Sequence, residues 1–301
     1  MARVTLAAVQ MRYRLVDYRS VEAFRERVLG LAREVRNTAP DDELIVAFPE
    51  DVGLGLTFTQ DFERVQTSKT MVEAGLRLME RYRINPLTVE GGFPAAVRIL
   101  LRTLSPFIER IYHEAFAEAA RTTRTWIVAG SAPIAQNECV YNTTYVYNPA
   151  GERVLIQRKI NLVELEREVG LNLCPAPCEL PTVSTPAGKL GVLICLDGFH
   201  HELIDQYAKR GVRILVMPSY NPLPWTKEEA QGWEGGLLAG IQRHPQMIGV
   251  NPMGVGGFFD VNAEGQSSIV AARNRTPDGT GYLARAKTKD QEEIVIYTLR
   301  A

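Results

Sequence analysis

Short apolar runs alternate with helix-like segments along nearly the whole chain. Strands are predicted at Val4–Gln10, Leu44–Phe48, Trp126–Gly130, Thr143–Tyr147, Val154–Arg158, Leu190–Ile194, Ile214–Met217, Ile248–Asn251, Ser267–Ala271 and Ile294–Leu299. Between them, Ser20–Val35, Leu203–Arg210 and Glu228–Arg243 are predicted helices; the first opens on Ser20 as cap with Glu22 in its first turn. Such alternation is the pattern of a layered α/β fold. No Pro-, Gly- or Ser-rich linker, low-complexity tract or internal repeat divides the chain, so residues 1–301 are expected to form one domain.

Residues 57–125 break the alternation and are predicted to be a mostly helical insertion. Asp61–Arg83 carries Val65, Val72, Leu76, Leu78 and Met79. A second helix is predicted to start with Ser105 as cap and Pro106 at its first position, where the missing N–H costs nothing. Its apolar stripe is Phe107, Ile108, Ile111, Tyr112, Ala115, Phe116 and Ala119, close to helical period. Two roles stay open for this block: a layer packed on the sheet or in a dimer contact, and a cover over the mouth of a site.

Three of the predicted strands end in chemically useful residues. Glu50 follows Leu44–Pro49, Lys159 follows Val154–Arg158, and Cys195 follows Leu190–Ile194 just before Leu196-Asp197-Gly198. Strand ends of an α/β sheet converge at the edge where ligands bind. An acid, an amine and a thiol there supply what acyl transfer needs: a base, a cation for the oxyanion, and a nucleophile. Taken singly, a cysteine after an apolar run is ordinary core filler and charged strand ends are ordinary solvated caps. The weight lies in the combination.

Composition narrows the picture further. With 46% hydrophobic and 23% charged residues the chain suits a soluble globular protein. Thirty-four basic against 35 acidic residues give a formal net charge of −1, which offers nothing to attract nucleic acid or an anionic membrane. The N-terminus enters a strand without a signal peptide, and no apolar stretch approaches the roughly 20 residues that cross a bilayer. Four cysteines are too sparse for a disulfide framework, so a reducing cytoplasm is expected. No cofactor or metal is expected.

The strand-end residues sit in motifs that resemble the nitrilase, or carbon–nitrogen hydrolase, superfamily. They are Phe48-Pro49-Glu50, Arg158-Lys159-Ile160-Asn161-Leu162 and Gly191-Val192-Leu193-Ile194-Cys195-Leu196-Asp197, in the family's order. Ala7–Met11, Tyr141-Asn142-Thr143, Asn148–Glu152 and Gly211–Ser219 resemble the family's flanking elements. The similarity covers about residues 4–56 and 126–300 and leaves the helical block unmatched. It implies a four-layer α-β-β-α sandwich, assembled as a homodimer or higher homo-oligomer through helices on one face. It further implies Cys195 as nucleophile, Glu50 as general acid and base, and Lys159 with the Leu196 N–H as oxyanion donors. A second, substrate-positioning glutamate is implied beyond the lysine. Glu166 stands at a spacing found in some branches, with Glu164 and Glu168 as neighbouring alternatives. His200, Tyr220 and Asn221 are candidate substrate contacts.

The chain also departs from the family pattern. After the cysteine, Phe199-His200-His201-Glu202 places His-His where Phe-Pro is usual, and Gln242-Arg243-His244-Pro245 replaces a Glu-Asn pair of the later helix. Leu196-Asp197 in place of Trp-Glu leans toward amides over nitriles. The expected activity is hydrolysis of a non-peptide carbon–nitrogen bond, amide or carbamoyl, through a cysteine thioester; a nitrilase acting on C≡N is the alternative. The lipoprotein acyltransferase branch is set aside for want of membrane spans, and the glutamine-dependent NAD synthetase branch for want of a second domain. If the helical block lines the entrance, Arg77, Arg81, Arg83 or Arg98 is positioned to bind a substrate carboxylate bidentately. Three rivals compete with the hydrolase reading. A Cys–His protease would need an imidazole such as His113 or His244 beside Cys195. A zinc site would use Cys174, Cys178, His200 and His201. A non-enzymatic module that kept the fold would have no need of Glu50, Lys159 and Cys195 together.

Overall fold

The computed structural model describes residues 3–39, 42–168 and 170–299. All ten predicted runs form strands. One sheet runs in the order Glu293–Leu299, Val4–Gln10, Glu43–Ala47, Trp126–Val128, Cys139–Tyr147 and Ala132–Gln136, with Arg153–Arg158 also paired to Cys139–Tyr147. A second runs Tyr282–Arg285, Ser268–Ala271, Ile248–Asn251, Val212–Val216, Gly188–Val192 and Val183–Thr185. The central trio of each is parallel. A third, small sheet joins Ser219–Tyr220, Met253–Phe258, Val261–Ala263 and Arg12–Arg14.

Side-chain alternation along the strands builds the layers. Leu6 and Ala8 face a core shared with Leu190, Val192, Ile214, Val216 and Ile248 of the second sheet. Ala7 and Val9 face the opposite way, onto helices Val21–Thr38 and Gly92–Thr123 through Phe24, Leu31, Ile108 and Phe116. On the far side of the second sheet, Leu193 and Leu215 pack with Leu203, Ile204 and Tyr207 of helix His201–Lys209 and with Leu237 and Ile241 of helix Leu237–Gln242. The result is the expected α-β-β-α sandwich. Among the described residues, no helix is long and apolar enough to cross a membrane.

The helical block departs from its predicted boundaries. Its first part is a 3₁₀ segment Leu54–Asp61, a single turn Phe62–Val65, and a helix Met71–Arg81 whose cap Thr70 accepts from the Glu73 amide at 3.0 Å. Its second part is one helix, Gly92–Thr123, with Pro106 inside it. Ser105 is therefore no cap; it is buried, and its Oγ accepts the Ala135 N–H at 2.7 Å. Burial explains the override. Leu100, Leu101 and Leu104 carry the apolar stripe upstream of Pro106, and covering them outweighs the one backbone bond that proline removes. Of the predicted stripe, Ile108, Ile111, Tyr112, Ala115, Phe116 and Ala119 are buried, and Phe107 is only partly so.

The predicted helix Glu228–Arg243 is likewise two, Lys227–Glu234 and Leu237–Gln242, parted at Gly235-Gly236. At Gly236 a Cβ would stand 2.9 Å from the Phe199 ring, so close packing fixes glycine where the helix breaks.

Candidate active site

Each of the three strands runs one to three residues past its last ladder position before delivering its side chain. Beyond Ala47, Phe48 still bonds Val128 through its N–H at 2.9 Å. Pro49 then lies against Gly130, which has φ +72°; a Cβ there would sit 2.0 Å from the Pro49 carbonyl oxygen. Only glycine lets the chain turn Glu50 inward at this point. The Glu50 carbonyl accepts the hydroxyl of buried Tyr13, and its side chain is 3% exposed.

Lys159 follows strand Arg153–Arg158 and donates its N–H to the Asn142 carbonyl at 2.9 Å, continuing the ladder with Cys139–Tyr147. Its buried ammonium lies 2.7 Å from Glu50 Oε1 and 2.6 Å from Glu166 Oε2. The Asn142 side-chain amide spans the same two carboxylates, donating to Glu50 Oε1 at 2.9 Å and to Glu166 Oε1 at 2.8 Å. Glu166 also accepts the Val163 N–H at 3.0 Å. Of the three neighbouring glutamates, Glu166 is the buried one; Glu164 and Glu168 are exposed.

Cys195 opens the 3₁₀ turn Cys195–Phe199 at φ +48°, a left-handed conformation unusual for a side-chain-bearing residue. Its amide is held by the Pro218 carbonyl at 2.9 Å, and its thiol reaches the Tyr220 carbonyl at 3.9 Å. Buried Asp197 ties this turn to the lysine loop by accepting from the Ile160 N–H at 3.1 Å and from the Asn161 N–H and Nδ2 at 2.7 and 3.0 Å. Leu196 stands between nucleophile and brace, in a turn where the Asp197 N–H bonds the Ile194 carbonyl at 3.1 Å.

The electrostatics follow from burial. Desolvation above all raises the Glu50 carboxyl, with Lys159 pulling it down and Glu166 pushing it up, to about 7. For Lys159, desolvation works against the charge, but Glu50, Cys195 and Glu166 outweigh it and hold the ammonium protonated. Burial pushes the Cys195 thiol up and the Glu50 charge adds to it, while Lys159 pulls back. The thiol thus stays protonated until a base takes the proton, and Glu50 is near enough for each group to shift the other.

Other sequence candidates have varied surroundings. Tyr220 stacks on Tyr13 with centroids 5.6 Å apart, and it meets the thiol through its backbone carbonyl. The Asn221 amide is engaged by Leu223 and by the Glu264 carbonyl, shaping its own loop. His200 is half-exposed and lies 3.3 Å from Glu202. Three of the four arginines considered as carboxylate binders have local partners. Arg77 is 2.6 Å from Glu73, Arg81 is 3.2 Å from Asp61, and Arg98 grips Asn172 through Oδ1 and the carbonyl at 2.6 and 2.7 Å.

The cysteines correct the sequence expectation. Cys139 and Cys174, 35 residues apart, are joined by a disulfide, brought together by the Cys174 N–H to Val140 carbonyl bond of 2.8 Å. Cysteine count is therefore no argument for a reducing compartment. The bond also removes Cys174 from any zinc site, and among the described residues no group of three or more His, Cys, Asp or Glu is arranged to hold a metal.

Sequence reasoning assigned no role to Asn142, Tyr13 or Asp197. Asn142 lay in a quoted motif, but its function depends on the ladder neighbour it acquires on folding.

Fold and site together define an α-β-β-α sandwich with a Glu–Lys–Glu cluster beside a buried cysteine. The carbon-nitrogen hydrolase family model matches residues 5–299, and the chain belongs to that family. Over 111 residues it is 32% identical to the omega-amidase NIT2 of Danio rerio, covering 35% of this chain and 40% of that protein. Over 119 residues it is 31% identical to the chloroplastic omega-amidase of Arabidopsis thaliana, covering 36% and 32%. The chain thus spans two fifths or less of the length of these curated relatives. Among solved structures, a carbon-nitrogen hydrolase from Helicobacter pylori G27 superposes with a TM-score of 0.68 at 18% identity, over 99% of this chain and 88% of that one. An amidase from Nesterenkonia sp. AN1, seen with the acetamide moiety of fluoroacetamide added covalently at its active site cysteine, superposes with 0.66 at 16%, over 99% and 90%. At such identities the likeness is one of fold.

Proposed function

We propose that the chain hydrolyses a non-peptide carbon–nitrogen bond, in an amide or carbamoyl group, through a thioester on Cys195. The observation that carries this reading is Lys159, whose ammonium is anchored by Glu50 and Glu166 beside the Cys195 thiol. Glu50 takes the thiol proton as sulfur adds to the carbonyl carbon. The developing oxyanion is met by Lys159, which has three N–H donors and shares two with carboxylates, and by the Leu196 N–H. Collapse breaks the C–N bond, and Glu50 passes its proton to the leaving nitrogen, so ammonia or an amine departs. Water, deprotonated by Glu50, then attacks the thioester; the C–S bond breaks, the acid is released and sulfur regains its proton. Glu166 holds Lys159 and a substrate polar group in place.

The test is ammonia or amine release from a panel of small amides, carbamoyl compounds and nitriles, with acid quench and intact mass measurement. An acyl adduct on Cys195 is expected, and Cys195→Ala should abolish both adduct and turnover while the chain still folds. An adduct on Cys178, or turnover by Cys195→Ala, refutes the assignment.

A further inference from the structure

Asn142 and Lys159 are neighbours across one ladder. Thr143 pairs with Arg158, and the Lys159 N–H bonds the Asn142 carbonyl. Both side chains enter the same pocket, and both bridge the same two carboxylates. The amide has one permitted orientation, because the oxygens it faces only accept; turned over, its Oδ1 would oppose two carboxylates. In the orientation it adopts, Oδ1 is buried and has no hydrogen-bond partner among the described residues. Both N–H groups are committed to Glu50 and Glu166.

We propose that Asn142 is a positioning residue for the acid–base step, a neutral clamp that holds Glu50 ionised and aligned toward Cys195 while Lys159 turns a donor to the oxyanion. The proposal rests on the hydrolase reading above. Lys159 alone serves poorly as that clamp, since charge developing on the substrate oxygen competes for the same ammonium. The Asn142 amide carries no charge to be drawn away, and it keeps its hold when Glu50 is protonated.

The experiment follows the pH dependence of Cys195 alkylation by 2-bromoethanol, which requires loss of the thiol proton and carries no carbon–nitrogen bond. Peptide mass analysis resolves the site, in a Cys178→Ser background because Cys178 is an exposed free thiol. Parent protein should show an acid limb near the Glu50 value of about 7. Removing one hydrogen bond to a carboxylate favours its protonated form, so Asn142→Ala should move the limb upward by about one to two pH units. Asn142→Asp should move it further up by adding a carboxyl group to Glu50, Glu166 and the neighbouring Asp51. Burial and the Glu50 and Glu166 charges already raise the Asp51 carboxyl, while Lys159 pulls it down. With a hydrolysed amide in hand, kcat should fall more than tenfold with a smaller change in KM. Circular dichroism and thermal unfolding confirm the fold, and near-isosteric Asn142→Asp serves if Asn142→Ala does not fold. A limb that coincides with that of the parent in a folded variant overturns the proposal and leaves the hydrolase reading standing. No acid limb in the parent removes Glu50 as base and takes both down.

Discussion

Glu166→Gln tests the electrostatics with a change of almost no volume. Glu50 and Glu166 bind the same Lys159 nitrogen at 2.7 and 2.6 Å, which leaves their facing oxygens roughly 5 Å apart. At an effective dielectric of about 20, two unit charges at that distance repel by about 3 kcal/mol, or roughly two pH units on the Glu50 carboxyl. The sign is fixed by the repulsion. Glu166 raises the Glu50 value, so removing its charge lowers it and makes the base available at lower pH. The acid limb of kcat/KM, and of Cys195 alkylation, should shift down from about 7. This is opposite to the shift expected for Asn142 variants, so general loosening of the site cannot produce both. A cost accompanies it: one Glu166 oxygen becomes an amide facing the donors of Lys159, Val163 or Asn142, and a thermal scan should show about 1–3 kcal/mol of lost stability. A limb that stays fixed or moves up refutes the reasoning.

Three further outcomes are expected. Lys159→Ala should cut kcat by about 10²–10³ through loss of an oxyanion donor and, by stranding two buried carboxylates, lower stability by about 3–5 kcal/mol in denaturant unfolding. Arg98→Ala should loosen the Asn172 loop that leads into the disulfide, lowering Tm and slowing neutral and anionic amides alike; a KM increase confined to the anion would restore a substrate-binding role. Light scattering at micromolar concentration should find a dimer or larger, and a clean monomer would refute the expected assembly.

The strand ends were legible because Glu50, Lys159 and Cys195 each close a short apolar run of strand length. The layers were legible for the same reason. Ser105-Pro106 misled because a good local cap signal was outweighed by Leu100, Leu101 and Leu104, whose burial is a property of the whole sandwich. Cys139–Cys174 and Asn142 were illegible on other grounds. Their partners lie 24 to 92 residues away, and nothing local marks a side chain whose role comes from its opposite number in a ladder. Short strands such as Arg12–Arg14, which brings Tyr13 under Glu50, carry too little pattern to register.

The buried ammonium between two carboxylates also constrains how such a chain can change over generations. Losing Lys159 strands two carboxylates in the interior, at a cost of about 3–5 kcal/mol against a typical total margin of about 5–15 kcal/mol. A lineage abandoning its chemistry by single steps would pass through poorly folded intermediates at Lys159, yet could lose Cys195 with little harm. In a duplicated copy, the first sign of a discarded activity is therefore a missing thiol beside an intact Glu50, Lys159 and Glu166. Among descendants of this architecture, the cysteine reports on chemistry, whereas the charged trio reports in part on folding.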